Sequence, residues 1–338
     1  MKLSYVLPLL RRPGEDGLDE LTDYLHWLSR RVEVIVADGS SPELQKLHES
    51  LWPDVVHVAV TNRPRRYGKV TGVHAGMERA THETVIIADD DVRYSERSLR
   101  QIRRAMEFAD LVRPQNYFAP LPWHAAWDTS RILLNRAFGS DSPGTLAVRR
   151  CFFWEMGGYS EEAMYENLEL IRTVAAHRGR VSDRPDIYVR RIPSTTRRFW
   201  EQRPRQAYDD FAQPGKLVGF LALLPGLALS RGLSRRRVVA AASITVALAE
   251  WGRRRHEGRR YFPSRTSWFA PLWVLERGIC SWLALFYRFT GGVPYAGTRF
   301  RVAAHSMRKL RRSAATKPVA PVTQRSLAGA AATTQGDN

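Results

Sequence analysis

The sequence predicts an α/β protein with a mostly parallel sheet flanked by helices, followed by a helical region that associates with a membrane. Short apolar runs alternate with amphipathic stretches over residues 1–200, a pattern typical of strands joined by crossover helices. Several of these runs end in acidic or small polar residues. After residue 212 the sequence changes to apolar segments bordered by arginines. These three observations predict a first domain over residues 1–212 and a distinct region after it.

The elements of the first domain follow from this alternation. The apolar runs predicted as strands are 3–9, 32–37, 55–59, 85–88 and 110–113. The amphipathic stretches predicted as helices are 18–29, 43–51, 69–80 and 96–108. In open α/β sheets ligands bind beyond the carboxyl ends of the strands, so the residues that close each strand are the candidate site residues.

Positive charge is concentrated in the last part of the sequence. The formal net charge of the 338 residues is +18 at pH 7. Residues 1–200 carry 29 Lys and Arg against 27 Asp and Glu, whereas residues 201–338 carry 23 against 7. Because the basic clusters border apolar runs rather than alternating with aromatic and polar residues, we predict no nucleic-acid partner. An anionic membrane surface fits this pattern better.

Four apolar segments make up the predicted membrane-associated region, 213–300. They are 217–230, 238–249, 268–275 and 278–287, and Glu276-Arg277 breaks the last pair. None reaches the ~20 apolar residues that a spanning helix needs, so we expect short helices that lie in the interface or form re-entrant hairpins. A helical cap packed on the first domain is the alternative. Residues 301–338 are predicted as a disordered tail, first basic and then rich in Ala and Thr.

The cysteine content indicates the cellular compartment. Two cysteines, Cys151 and Cys280, are present, which excludes a disulfide framework and favours the cytosol for the first domain. The first apolar run meets Arg11 and Arg12 too soon for a signal peptide and is predicted as a strand. We therefore expect the protein at the cytoplasmic face of the cell membrane.

The strongest chemical signal is the acidic sequence that ends strand 85–88. Asp89, Asp90 and Asp91 follow one another, and adjacent carboxylates repel one another unless a cation lies nearby. Mg²⁺ prefers one or two carboxylates together with phosphate oxygens of a substrate, and a metal there would neutralise the charge on a leaving diphosphate. A solvated acidic turn that caps the next helix is the alternative.

Two further strand ends point to a nucleotide. Asp38 follows strand 32–37 and begins a tight turn, where it accepts hydrogen bonds either from a nucleobase or ribose or only within the turn. Lys69 follows Gly68 and the basic sequence 65–67 at the start of a small-residue helix. That position suits an anionic or nucleotide ligand, although the spacing is not that of a P-loop.

The order of these motifs resembles family 2 of the nucleotide-sugar-dependent glycosyltransferases, which have the GT-A fold. Residues 144–150 and the sequence 157–159 resemble a second stretch typical of that family, and the likeness covers about residues 3–210. It implies that a sugar is transferred, with inversion, from a nucleotide-diphosphate sugar to an acceptor with Mg²⁺ or Mn²⁺. It implies a metal ligand at Asp91. It also implies nucleotide-sugar contacts at Asp38, Lys69, Asp89, Asp90 and Arg205.

An inverting transfer needs a general base to deprotonate the acceptor hydroxyl, and at this point the sequence departs from the family. The base is usually the Asp of a Glu-Asp pair, whereas this chain has Glu166 and Asn167. An amide cannot take up a proton at neutral pH, so we predict Glu166 as the base. Glu169, an acceptor that needs little deprotonation, and a weak or inactive nucleotide-sugar-binding protein are the alternatives.

The family's final motif, Gln-x-x-Arg-Trp, is also altered. The chain has Gln202, Arg205 and Gln206 at the corresponding positions, so the cation that holds the diphosphate is kept at Arg205 and the tryptophan is replaced. This departure favours a single-addition enzyme over a processive polysaccharide synthase. A nucleotidyltransferase is the other enzymatic alternative, but residues 9–14 match poorly the Gly-rich basic loop that such enzymes need after the first strand.

The acceptor side is predicted in a proline-stiffened loop, 120–128. Trp123 and Trp127 would stack on a sugar or lipid-linked acceptor, and His124 is a second candidate base. Packing of either tryptophan in the core and a structural role for His124 are the alternatives. Because the enzyme is expected at a membrane, its acceptor is expected to be a lipid-linked or cell-envelope glycan.

Overall fold

The structure, a computed structural model, describes residues 1–60, 68–141, 143–229, 235–295 and 298–316. Its centre is one eight-stranded sheet. The strands are β1 (Ser4–Leu9), β2 (Glu33–Asp38), β3 (Val56–Ala59), β4 (Thr84–Ala88), β5 (Val92–Arg93), β6 (Leu111–Phe118), β7 (Thr145–Arg149) and β8 (Val181–Arg191). Across the sheet they follow the order β3-β2-β1-β4-β7-β6-β8-β5.

Helices connect and flank these strands. Up to residue 208 they are α1 (Leu18–Ser29), α2 (Pro42–Leu51), α3 (Gly68–Arg79), α4 (Glu96–Ala105), α5 (Trp123–Phe138), α6 (Arg150–Glu155), α7 (Glu166–Ala176) and α8 (Thr196–Tyr208). Local sequence sets two of the starts. Ser41 caps α2, and Ser95 and Ser98 form a reciprocal capping box at the start of α4.

The sheet is buried on both faces, which explains the nearly continuous apolar runs of its first strands. Along β1, Tyr5 and Leu7 pack in one core and Val6 packs in the other, as the two-residue period of a strand requires. Helices α1 and α4 cover the first face, and α3, α6 and α7 cover the second.

The direction of β7 positions the site. Strands β1 to β4 are parallel, whereas β7 runs antiparallel between β4 and β6. Ala88 at the end of β4 therefore pairs with Thr145 at the start of β7. The backbone N–H of Asp89 donates to the carbonyl oxygen of Gly144 at 3.1 Å. The acidic sequence thus lies beside the start of β7.

The predicted α/β class is confirmed, and each predicted strand and helix is present. The strand predicted over 110–113 extends to Phe118, and the helix predicted over 96–108 ends at Ala105. Strand β8 was not predicted. Its first half is mostly polar and charged, it contains Pro185, and it ends in two arginines, so its sequence does not look like that of a buried strand.

Three long helices follow residue 212 in the part of the chain that the structure describes. They are α9 (Pro214–Leu229), α10 (Arg235–Arg254) and α11 (Ala270–Phe289). Helix α10 packs on α5, and α11 packs on α8 and α9. The predicted domain boundary falls between the 3₁₀ turn Asp209–Ala212 and α9. These helices therefore cover the first domain.

The expected break at Glu276 and Arg277 is wrong, because α11 continues through both residues. Their side chains turn inward, where Glu276 Oε2 lies 3.7 Å from Arg203 Nη1 and Arg277 Nη1 lies 3.4 Å from Asp210 Oδ2. The expectation that every apolar segment is too short to span a membrane is wrong as well. The helical segment Ser264–Phe289 is long and apolar enough by length and composition, with 44% of its most apolar part buried inside the protein.

Residues 301–316 have defined structure, in contrast to the predicted disordered tail from residue 301. Strands β9 (Val293–Tyr295) and β10 (Thr298–Phe300) pair antiparallel, and α12 (Met307–Thr316) follows them. Between these elements, the backbone N–H of His305 donates to Glu169 Oε2 of α7 at 2.8 Å. The rest of the predicted tail, 317–338, lies outside the described residues.

Candidate active site

Two acidic residues of the predicted motif meet two basic residues beyond the end of β4. Lys69 Nζ lies 2.6 Å from Asp89 Oδ1 and also forms an ion pair with Glu166. Arg191 Nε donates to Asp91 Oδ2 at 2.8 Å, and its Nη2 donates to Asp89 Oδ2 at 3.3 Å. The carboxylates that were expected to repel one another are thus paired with cations of the protein itself.

Each member of this cluster is held by a different element. Lys69 is the second residue of α3, and Glu166 is the first residue of α7. Arg191 closes β8, and the next residue, Ile192, donates its backbone N–H to the carbonyl oxygen of Asp91 at 2.7 Å. Three elements that are distant in sequence therefore converge at the carboxyl end of β4, where an α/β sheet binds its ligands.

Two glycines allow this convergence. A Cβ atom at Gly144 would lie 2.8 Å from Asp89 Oδ2 and 2.9 Å from Arg191 Nη1. At Gly158, φ is +71° and a Cβ atom would lie 2.1 Å from His74 Cε1, so a side chain there is excluded by conformation and by space. Both glycines lie in segments that the sequence analysis singled out.

The ion pairs keep Asp89 ionised and leave Asp91 more basic. Burial opposes ionisation of Asp89, but Lys69 and Arg191 outweigh it and hold the pKa of this carboxyl below its usual range. Burial raises the pKa of Asp91 to about 6; the neighbouring Asp89 also raises it, while Arg191 opposes the shift. Although burial works against the charged form of Lys69, its two carboxylate partners raise its pKa. The lysine therefore stays charged at neutral pH.

One oxygen of Asp91 is available to a metal. Asp91 Oδ1 is buried and has no hydrogen-bond partner among the described residues. Within the same part of the chain, no group of three or more His, Cys, Asp and Glu side chains forms a metal cage. This donor set fits Mg²⁺ or Mn²⁺ held by one protein carboxylate, with a diphosphate and water as its other ligands.

The predicted base and its two neighbours have different surroundings. The Glu166 carboxylate pairs with the lysine of the cluster, and its side chain is 21% exposed. Asn167 is buried, and its Nδ2 donates to the carbonyl oxygen of Pro143 at 3.1 Å. Glu169 is fully buried with both oxygens on His305. Glu166 therefore belongs to the site, and Glu169 has a structural role.

Helix α8 carries the predicted diphosphate ligand, and an acid follows it one turn later. The charge of Arg205 contributes to the low pKa of Asp89. Asp209 Oδ1 is buried without a hydrogen-bond partner in the part of the chain that the structure describes. Burial raises the pKa of Asp209 to about 8; Arg205 opposes the shift, and the negative charge of Glu166 adds to it. Asp209 is therefore mostly protonated at neutral pH.

Asp38 and Asp90 differ in exposure. Asp38 is buried at the end of β2, where its carboxylate accepts from the Ser40 N–H at 2.8 Å and contacts His48 Nδ1 at 2.5 Å. Burial opposes its ionisation, but these hydrogen bonds hold the pKa of Asp38 below its usual range. This is the turn role that the sequence left open. Asp90 is exposed. Nucleotide contacts at both residues stay predictions.

The two candidate acceptor tryptophans lie in the first turns of α5, so the predicted loop is wrong there. Proline at 120 and 122 precedes the helix, and Trp123 is its first residue. The Trp123 ring centroid lies 6.3 Å from that of Trp127 and 6.2 Å from that of Trp200. Because Trp123 remains 47% exposed, this aromatic cluster still offers a surface to a ligand.

The neighbouring His124 is held on both sides. Its Nε2 lies 2.8 Å from the carbonyl oxygen of Ser194, and its Nδ1 lies 3.3 Å from Thr196 Oγ1. The residue is buried. These contacts favour the structural role for His124 over the role of a second base.

A cavity of about 400 Å³ opens on the other face of the sheet. Arg93 and Arg190 line it, and both bind Glu20, at 2.7 and 2.6 Å. Because successive residues of a strand point to opposite faces, Arg190 faces this cavity and Arg191 faces the carboxylates. Both arginines of the cavity are paired with Glu20, and the cavity is separate from the candidate active site.

Sequence reasoning missed Arg191 and Asp209. Arg191 belongs to a charged strand that carries no motif, and Asp209 resembles any surface acid next to Asp210. The sequence does contain one signal for a residue such as Arg191, because three adjacent carboxylates require a nearby cation. Arg65 and Arg66, the two basic residues that precede Lys69 in the sequence, lie outside the described residues.

The family model described as Glycosyl transferase family 2 matches residues 6–208. No curated protein matches the chain. Among solved structures, the mannosyltransferase PcManGT from Pyrobaculum calidifontis in complex with GDP-Man and Mn²⁺ is 16% identical, with a TM-score of 0.46, and the match covers 82% of this chain and 86% of that one.

A second solved structure is the glucosyl-3-phosphoglycerate synthase from Mycobacterium tuberculosis in complex with Mn²⁺, UDP and glucosyl-3-phosphoglycerate. It is 14% identical, with a TM-score of 0.38, and the match covers 56% of this chain and 70% of that one. Both scores are below 0.5, so membership of a family rests on the sequence match.

That match spans more than half of the chain and includes every residue of the carboxylate cluster. The acidic strand end, the lysine at a helix start and the candidate base lie together at the carboxyl edge of the sheet, as the resemblance implied. The chain therefore belongs to glycosyltransferase family 2 and is a nucleotide-sugar glycosyltransferase of the GT-A fold.

Proposed function

We propose that the protein transfers a single sugar, with inversion, from a nucleotide-diphosphate sugar to a lipid-linked or cell-envelope acceptor at the cytoplasmic face of a membrane. Mg²⁺ or Mn²⁺ would accompany the diphosphate. The observation that carries the proposal is Lys69, which bridges Asp89 on the donor side and Glu166 on the base side. A single displacement needs donor and base at a fixed geometry, and one lysine that contacts both supports such an arrangement.

The donor side is built from charges of both signs. Asp91 would hold the metal through its unpartnered Oδ1, and the bound metal supplies positive charge that neutralises the leaving diphosphate. Arg205 supplies a further cation for the phosphate oxygens. Asp89 stays ionised and so accepts hydrogen bonds, as the hydroxyl groups of a ribose require.

The base side centres on Glu166, which takes the proton of the acceptor hydroxyl. In the free protein its carboxylate is paired with Lys69. When Lys69 turns toward a diphosphate, the Glu166 carboxylate leaves this ion pair and becomes free to accept the proton of the acceptor hydroxyl. Asn167 stays apart from this step, because its amide donates to the carbonyl oxygen of Pro143.

A donor screen tests the reaction. UDP- and GDP-sugars are incubated with the full chain and Mg²⁺ or Mn²⁺, and nucleotide release and thermal shift are measured. We expect Glu166→Gln to lower turnover by about 10²–10⁴-fold while the donor still binds, and we expect Asp91→Asn to abolish metal-dependent turnover. Glu107→Gln, an exposed acid on the surface, is the matched control. Full turnover in Asp91→Asn contradicts the metal site, and donor binding without any turnover by the unaltered protein favours an inactive binding protein.

The membrane part of the proposal comes from the outer face of α11. Helix α11 turns a row of apolar side chains away from the domain. They are 42–80% exposed and recur every three or four residues: Leu272, Leu275, Ile279, Trp282, Phe286 and Phe289. A helix with one polar face buried in protein and an apolar outer face suits a lipid interface.

Basic residues specify the kind of membrane. Helix α10 begins with exposed arginines at 235–237, and the exposed apolar residues Val238, Val239 and Ile244 follow. Anionic lipids attract such residues by about 1 kcal/mol for each Lys or Arg near the surface. Charge complementarity and the exposed apolar surface together favour an anionic bilayer as the partner.

Vesicle sedimentation with the full chain tests this docking. We expect binding to phosphatidylcholine vesicles that contain phosphatidylglycerol and weaker binding to phosphatidylcholine alone. The double variant Ile279→Glu, Phe286→Glu should bind at least about tenfold more weakly, since each buried apolar side chain contributes ~1.5–3 kcal/mol. Phe108→Glu, at an exposed position outside the C-terminal helices, is the control. Unchanged binding by the double variant contradicts the proposal.

A further inference from the structure

We propose that Arg191 is a built-in counter-cation that makes metal binding depend on the nucleotide: in the free protein it occupies the acidic pair, and it moves to the diphosphate when the donor arrives with its cation. The inference rests on the proposed function and concerns the order in which the site is filled. It assigns to Arg191 a positioning role that no motif of the sequence indicates.

The geometry shows how closely Arg191 engages the acidic pair. Its guanidinium binds both carboxylates, at 2.8 Å to Asp91 and 3.3 Å to Asp89. The carbonyl oxygen of Arg191 accepts from the N–H of Ala119, and the next residue donates to the carbonyl oxygen of Asp91. The backbone of Arg191 is therefore fixed at the sheet edge, while its side chain, 28% exposed, reaches the site.

The charges of the cluster explain why a metal alone is disfavoured. Asp89 and Asp91 carry two negative charges, and Lys69 and Arg191 supply two positive charges beside them, while Glu166 and Arg205 add one further charge of each sign. A divalent cation that arrived without a diphosphate would meet an acidic pair already neutralised and would be repelled by both cations. A diphosphate brings the missing negative charge, because its oxygens accept from Arg191 and Lys69 in place of the carboxylates.

The local structure fits a resident cation beside a free metal ligand. Position 144 has no side chain, and a Cβ there would overlap both Asp89 Oδ2 and Arg191 Nη1. Asp91 binds Arg191 through Oδ2, while Oδ1 is buried and without a hydrogen-bond partner among the described residues. The acid therefore keeps one oxygen for a metal while the other holds the resident cation.

The test measures Mn²⁺ binding by isothermal titration calorimetry, first without nucleotide. We expect the unaltered protein to bind Mn²⁺ alone at least about tenfold more weakly than Arg191→Gln, because the substitution removes the charge that competes for the acidic pair. Arg191→Lys keeps a cation and should bind Mn²⁺ alone as weakly as the unaltered protein. Arg190→Gln removes the neighbouring arginine, which faces the other side of the sheet, and should leave Mn²⁺ binding unchanged.

A second titration uses UDP and GDP in the presence of Mn²⁺. We expect Arg191→Gln to bind the preferred nucleotide at least about tenfold more weakly than the unaltered protein, while Arg190→Gln binds it equally well. Equal affinity of the unaltered protein and Arg191→Gln for Mn²⁺ alone, including no binding by either, overturns the inference. Failure of the unaltered protein to bind either nucleotide contradicts the proposed function instead, so the two failures are distinguishable.

Discussion

Asn167 stands where family 2 usually carries the catalytic aspartate, and its contacts explain why it is not the base. The amide donates to the carbonyl oxygen of Pro143 in a buried position. An oxygen at the same place would face that carbonyl oxygen, and neither atom has a proton to share. The polypeptide around this position therefore suits an amide, which agrees with the proposal that Glu166 is the proton acceptor.

Substitution of Asn167 by aspartate tests this view at the residue scale. We expect Asn167→Asp to lower the free energy of unfolding by about 1–3 kcal/mol, since it buries an unpaired acceptor against another acceptor, and to leave donor turnover no faster. Glu166→Gln should do the reverse, with turnover lost and stability nearly kept. Urea unfolding and turnover assays measure both effects. Faster turnover in Asn167→Asp would show that the family's usual base position is functional here.

The pH dependence of stability should reveal Asp209. Its pKa is about 8 in the folded protein and about 3.9 in an unfolded chain, so the folded state holds an extra proton between these values. The contribution of Asp209 is fully present below about pH 4 and is lost as pH rises toward 8. At pH 8 the free energy of unfolding of Asp209→Asn should therefore exceed that of the unaltered protein by on the order of 1–3 kcal/mol. At pH 4 the two proteins should be equally stable. Urea midpoints at the two pH values measure this, and equal differences would contradict it.

The residues of the site differ in how far the sequence could predict them. Asp89, Asp91 and Lys69 lie at the junctions of recognisable strands and helices, so the α/β rule alone places them at one edge. Arg191 lies 100 residues after Asp91 in a strand in which five of 11 residues are charged. Its role depends on the pairing of β8 with β5 and β6, which no local pattern reveals.

At the scale of elements, α11 shows why a local pattern misleads. Glu276 and Arg277 look like a polar break between two short apolar helices. Glu276 pairs with Arg203 of α8, and Arg277 pairs with Asp210, which lies just after α8. Asp210 precedes Arg277 by 67 residues in the sequence. The buried strands β1, β2 and β4 were predictable because burial on both faces favours apolar residues. The orientation of α11 was not predictable, since charged residues lie on its buried face and large apolar residues lie on its exposed face.

The buried ion pairs between α8 and α11 predict a large effect at Arg203. This guanidinium lies 3.1 Å from Asp128 Oδ1 and 3.7 Å from Glu276 Oε2. Arg203→Met would leave two buried carboxylates without their cation, and we expect the free energy of unfolding to fall by about 3–5 kcal/mol. Arg197→Met, on the same helix but in an exposed pair with Glu201, should cost less than about 1 kcal/mol. Equal losses in urea unfolding would contradict the assignment.

At the scale of the whole molecule, the C-terminal helices share a core with the catalytic domain. Trp273 of α11 packs in one apolar cluster with Leu133 and Tyr188 of the first domain. Arg136 of α5 is buried and donates to the carbonyl oxygens of Gly252 and Arg255, at 3.2 and 2.6 Å. The region after residue 212 therefore completes the domain and also carries the surface proposed to meet the membrane.

Two truncated chains test this unity. A chain ending at residue 212 would expose the apolar cluster around Leu133 and remove two of the acceptors of Arg136, the carbonyl oxygens of Gly252 and Arg255, so we expect it to aggregate or remain unfolded. A chain ending at residue 316 keeps both and should fold. Circular dichroism and gel filtration distinguish the two. A monomeric, folded protein ending at residue 212 would show that the domain boundary in the sequence is also a boundary in folding.

The place of Arg191 in the chain has a consequence for synthesis on the ribosome. The acidic strand end is made 100 residues before the arginine that neutralises it, and the glycine that accommodates both comes between them. At about 5–20 residues per second, the nascent chain carries these carboxylates without that arginine for roughly 5–20 s. Strands β1 to β4 are complete by then, yet Asp89 and Asp91 at their edge lack the Arg191 guanidinium until β8 emerges from the ribosome. The last strand of the sheet to be synthesised is therefore the one that seals the donor site.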